Sequence, residues 1–109
     1  MHRFDERVSL ETLQGCVAEL NRDADVHGIL IQLPLPEHIS QADAWRLVES
    51  VRAEKDVDGL SPLNQGLIGL SGGEPERPKQ GFVACTPLGC LRLLRETIGE
   101  LSGKRAVVV

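Results

Sequence analysis

A chain of 109 residues that is 41% hydrophobic and 26% charged has the composition of one small globular domain; it is too apolar and too mixed in charge for a disordered segment. Twelve Lys and Arg against sixteen Asp and Glu give a net charge of −4, and the scattered basic residues and few aromatics exclude a nucleic-acid groove or a base-stacking platform. No stretch approaches the ~20 apolar residues of a membrane span, and the opening MHRFDERVSL lacks the apolar run of a secretory signal, so a cytoplasmic protein with no membrane partner is expected.

The first predicted element is a helix over 9–21. Ser9 can cap it by accepting from a free backbone N–H, and Leu10, Leu13, Val17 and Leu20 recur at helical spacing. Val26-His27-Gly28-Ile29-Leu30-Ile31 is a short apolar run suited to a buried strand of a parallel sheet. Gln32-Leu33-Pro34-Leu35-Pro36 follows, where two prolines end the pairing and stiffen the exit. Gln32 is thereby placed at a strand end. A second helix is predicted over about 41–53, capped by Ser40, with Ala44, Trp45, Leu47, Val48 and Val51 as its apolar face. Lys55-Asp56-Val57-Asp58-Gly59 closes it as a loop, and 59–82 reads as mostly irregular, with a turn-rich tip at 71–75. Thr86-Pro87 opens a third helix, Thr as cap and Pro at its first position, and Gly99 ends it. Lys104 to Val109 reads as a buried strand. The alternation is that of an α/β fold around parallel strands, yet two strands are too few for a self-sufficient sheet.

Ligands of open α/β sheets bind beyond the carboxyl ends of the strands, which makes Gln32 a candidate: its amide donates and accepts at once. Its alternative is a solvent-facing strand end. Asp56 and Asp58 offer carboxylates that could pair with an amidine-like edge; the alternatives are an Asx-type turn or a solvated charge. No His lies beside them in sequence, so no metal site is expected. Cys85 near a helix start could be an activated thiol, but no His follows it, and His27 reads as structural. Three cysteines without a CxxC pair suit neither a disulfide framework nor zinc, and Cys16, Cys85 and Cys90 are expected reduced and mostly core-facing.

Four blocks carry a family resemblance. Val26 to Pro36 resembles the V-H-G-[IL]-L-V-Q-L-P-L-P signature of the bifunctional methylenetetrahydrofolate dehydrogenase/methenyltetrahydrofolate cyclohydrolase family. Glu54 to Gly59 with Asn64-Gln65-Gly66 is similar to its E-K-D-V-D-G…N-x-G, Cys85 to Gly89 to its P-C-T-P-x-G, and Leu101 to Val109 to the strand that leads into its cofactor motif. Ala84 stands where the family usually has Pro.

The resemblance implies a partial three-layer α/β catalytic domain over 1–65. It also implies a linker, inter-domain helix and first strand of a Rossmann-like NAD(P) domain over 66–109. It implies that Gln32 supports a catalytic lysine, that the backbones of Ile31 and Leu33 border the folate, and that Asp56 binds the pterin edge. The lysine's own Y-x-x-x-K and the G-R-S-x-x-V-G-x-P that binds cofactor phosphate are not among these residues. The expectation is therefore an internal piece, cut at both ends, of an enzyme that uses NADP or NAD. The piece itself is expected to bind no cofactor and to be inactive alone. Tetrahydrofolate derivatives are the implied ligands and a homodimer the implied assembly. The alternative is a non-catalytic module that pairs with a full-length subunit, or a gene remnant.

Overall fold

The computed structural model describes residues 1–70 and 81–108. Four helices follow in order: α1 (Leu10–Arg22), α2 (Gln41–Glu49), α3 (Pro62–Leu70) and α4 (Cys85–Ile98). The first two start as their sequences predict. The Ser9 hydroxyl accepts from Thr12 N–H at 3.1 Å, and the Ser40 hydroxyl from Asp43 N–H at 3.1 Å, so each helix has its orphan donors capped. Leu13 and Val17 of α1 are buried against Leu47 and Val51, with Ile29 and Ile39 completing the core. Leu10 and Leu20 pack on the rim of the same cluster, so the predicted stripe is the buried face. Leu47, 1% exposed, is its centre.

The end of α1 is tied to the end of α2. Asn21 donates from its amide to Ser50 C=O and accepts from Arg52 N–H. Lys55 reaches back from the following loop and donates to the carbonyls of Leu20, Asn21 and Asp23 at 2.9, 3.0 and 2.6 Å. A buried ammonium thus satisfies carbonyls that the helix end leaves open, at the negative pole of its dipole.

Several expectations are corrected. No strand forms among the described residues. The 26–31 run makes one isolated parallel bridge, Ile29 with Asp56, because a strand exists only where a neighbour supplies its ladder, and this chain brings a single residue alongside. Residues 104–108 form no strand, and Val107 and Val108 are 87% and 98% exposed rather than buried; Val109 lies outside the described residues. Helix α2 stops at Glu49 rather than near 53, since Ser50 turns its N–H and hydroxyl back onto Leu47 C=O. Trp45 faces outward at 46% exposure.

Part of the stretch expected as irregular is α3, while its expected tip at 71–75 lies outside the described residues. Helix α4 starts at Cys85 after Ala84, which has no capping side chain, so Thr86 is inside the helix and not its cap. All three cysteines are free, as expected, but Cys85 and Cys90 are exposed rather than core-facing. Among the described residues no helix is long and apolar enough to cross a membrane.

Candidate functional site

The loop after α2 is built by backbone pairing. Ile29 N–H donates to Lys55 C=O at 2.7 Å, which fixes the register of the bridge. Gly28 lies under Val57: a Cβ on Gly28 would meet Val57 Cγ1 at 2.5 Å, so a side chain there would force Val57 to shift. Past the bridge, Gly59 N–H donates to Asp56 C=O and closes a turn over 56–59, with Gly59 at φ +63°. Both segments run on from this one parallel bridge in the same direction. Gln32 leaves one end and Asp58 the other, on the carboxyl side where α/β proteins place ligands.

Asp56 is buried, 4% exposed, and its oxygens are occupied. Oδ1 accepts from Leu60 N–H at 3.2 Å; Oδ2 accepts from Ser61 N–H at 2.7 Å and from the Asn64 amide at 2.9 Å. Burial pushes its carboxyl up. The Ser61 N–H, the Asn64 amide, the Ser61 hydroxyl and the Leu60 N–H together outweigh that, and its pKa stands below the ordinary 3.8. Asp56 therefore anchors the segment that leads into α3, an anion beside that helix's start. Asp58 is half-buried and makes no hydrogen bond or ion pair with a described residue.

Gln32 is exposed and donates from Nε2 to Leu33 C=O at 3.0 Å, which leaves its Oε1 open as an acceptor. The Leu33–Pro34 peptide bond is cis. Ile31 and Leu33 are half-buried on either side of Gln32. An apolar groove of about 720 Å³ runs along this segment, lined by Leu13, Cys16, Val17, Ile29, Ile31 and Gln32 among others; neither Asp56 nor Asp58 lines it. The structure thus groups Gln32, Ile31 and Leu33 on one segment, and puts Asp56 behind its neighbour as an internal anchor.

Other candidates separate from this group. The Cys85 thiol points at Val57 C=O, 3.9 Å away, and no hydrogen bond joins it to a described histidine. His38, which is remote from it in sequence, meets Val8 C=O through Nε2 at 2.9 Å. His27 is exposed. Two residues escaped assignment. Ser61 caps α3, accepting from Asn64 N–H at 3.3 Å, and Asn64 is the most buried polar side chain described, 1% exposed. Ser61-Pro62 followed by Leu63, Leu67 and Ile68 carries the signal for that helix: a capping residue, Pro at the first position, then helical spacing.

Comparison with known proteins converges on one family. Residues 1–58 match the model of the tetrahydrofolate dehydrogenase/cyclohydrolase catalytic domain. Over 113 aligned residues the chain is 48% identical to the bifunctional protein FolD of Phenylobacterium zucineum, covering all of this chain and 35% of that protein. It is 52% identical over 97 residues to FolD 3 of Ectopseudomonas mendocina, covering 89% of this chain and 28% of that one. The crystal structure of the bifunctional FolD methylenetetrahydrofolate dehydrogenase/cyclohydrolase from Campylobacter jejuni superposes with a TM-score of 0.73 at 40% identity, over 91% of this chain and 32% of that one. The chain therefore spans about one third of the length of these relatives. With more than half of its residues matched by the family model and its fold shared at 40% identity, the chain belongs to the tetrahydrofolate dehydrogenase/cyclohydrolase family.

Proposed function

We propose that this chain supplies one wall of a folate pocket in a bifunctional one-carbon enzyme. That enzyme oxidises 5,10-methylenetetrahydrofolate with NAD(P)+ and hydrolyses 5,10-methenyltetrahydrofolate to 10-formyltetrahydrofolate. The observation that supports this reading is the parallel Ile29–Asp56 bridge, from which one segment runs on to Gln32 and the other to Asp58 in the same direction. In the hydrolytic step water adds to the methenyl carbon and one C–N bond opens. Gln32 takes part by orientation: its open Oε1 accepts from a lysine ammonium or amine and holds it for proton transfer. The backbones of Ile31 and Leu33 border the folate.

Asp56 was expected at the pterin edge. A direct contact would have to displace its bonds to Leu60, Ser61 and Asn64. Of the loop's two carboxylates, Asp58 has no such competition and suits the amidine-like edge better, with Asp56 fixing the turn behind it. The domain limits follow the same reading: 1–65 belongs to the catalytic domain, and 66–109 leads into a Rossmann-like domain where the α/β layering is completed. A cytoplasmic homodimer fits the family.

The chain in place of the matching third of the Phenylobacterium relative tests this. The chimera should show both activities, followed as reduced cofactor and as loss of the methenyl chromophore. Gln32→Ala should lower its cyclohydrolase kcat about a hundredfold. The 109-residue chain alone should show no rate above buffer. An inactive chimera, or turnover by the chain alone, would contradict the reading.

A further inference from the structure

The most buried polar side chain described, Asn64, hydrogen-bonds to neither Gln32 nor Asp58, yet it joins three separate segments. Its amide donates to Ala53 C=O at 3.0 Å, after α2, and to Asp56 Oδ2 at 2.9 Å, in the loop. Its Oδ1 accepts from Phe82 N–H at 3.2 Å, on the segment that enters α4. Two donors and an acceptor on one short neutral side chain are the complement these three partners require. Alanine offers none of them. Aspartate offers no donor in its ionised form.

The contact is close on both sides. Gly59 and Gly81 both have positive φ, +63° and +98°. A Cβ on Gly59 would meet Phe82 C=O at 2.6 Å, and one on Gly81 would meet Asn64 Oδ1 at 2.6 Å. The 81–85 segment is therefore pressed on the 56–59 turn with no space for side chains between. Gln65, next to Asn64, grips the other end of that turn by donating to Gly59 C=O. Asp58 sits between the two points that Asn64 and Gln65 hold.

We infer that Asn64 is a positioning residue: it locks the 81–85 segment onto the turn that carries Asp58, so that the chain entering α4 fixes where the folate-facing carboxylate stands. The inference rests on the folate reading above. It implies that Asn64 governs folate affinity without touching folate, and that a perturbation in 81–85 reaches the pocket in part through this side chain.

The test uses the chimera described above, with Asn64→Ala and Asn64→Asp. Loosening the turn should raise the KM for methenyltetrahydrofolate roughly tenfold in Asn64→Ala, the scale of effect expected when buried polar partners are left unpaired, with kcat within about threefold of the parent. A purely structural loss would instead lower the active fraction, so apparent kcat would fall and KM would stay. Asn64→Asp places two carboxylates side by side, which share a proton at low pH and repel once both ionise. Its folate KM should approach the parent's near pH 5 and rise toward pH 8, and this variant keeps the test decisive if Asn64→Ala fails to fold. An unchanged KM in both variants of an active chimera overturns the positioning role alone. An inactive parent chimera overturns the folate reading itself.

Discussion

Helices α1 and α4 are nearly equal in length, 13 and 14 residues, and both are amphipathic, but they meet opposite fates. Helix α1 has a serine cap, a lysine from a distant loop on its last carbonyls and two buried apolar residues. Helix α4 has an alanine where a cap would sit and no buried residue, and its Leu93, Leu94 and Ile98 are 65%, 46% and 50% exposed. Every buried hydrophobic residue described lies before residue 52. An apolar stripe stabilises a helix only when something covers it, so the contrast separates the part of this chain that supplies its own partners from the part that does not.

The largest test of that contrast is in the core. Leu47→Ala should cost about 2–5 kcal/mol in urea unfolding, the range for truncating a fully buried leucine. Leu93→Ala on α4 should stay within about 0.5 kcal/mol. Equal costs would mean that α4 is covered and that the contrast is false.

A smaller effect belongs to Asp56. Its folded pKa lies below its ordinary value of 3.8. The stability it contributes is therefore full above that value and lost as pH falls from there through the folded pKa. Asp43 and Glu54, also lowered, add an exposed background that the comparison with a variant removes. Asp56→Asn should flatten the acid limb and cost about 1–3 kcal/mol at neutral pH by presenting donors to donors. Urea midpoints measured across the acid range decide it. An acid limb unchanged in the variant would show that the carboxylate contributes nothing through its ionisation.

The smallest effect sharpens the comparison at the caps. Ser9→Ala should cost about 1 kcal/mol, and Ala84→Ser should return a comparable amount to α4, seen as added helicity by circular dichroism. No gain at position 84 would place the weakness of α4 in its uncovered face rather than in its start.

Local chemistry was legible where a residue acts on its own neighbours. Ser9 and Ser40 cap, Leu13 and Val17 point inward, and the stretch from Val26 to Pro36 carries the family signature. Gln32 stands exposed on its segment, an exposure that both of its readings share. The hydrogen bonds of Asp56 are not legible, because its partners Ser61 and Asn64 lie at the start of α3, inside the stretch expected as irregular. The expected strands failed for a physical reason. Period and β-branching describe a surface ready to pair, and pairing needs a neighbour that residues 26–31 find only at Asp56 and residues 104–108 do not find.

By itself, then, the sequence determined the family, the serine caps that start the first two helices and the buried stripe of α1, all of which depend on residues close together in the chain. Tertiary structure decided that Lys55 closes α1, that Asp56 is an anchor, and that Asn64 ties Ala53, Asp56 and Phe82 together. These are bonds between residues up to 35 positions apart. Their donors and acceptors are ordinary in type, so only the folded arrangement says which of them meet.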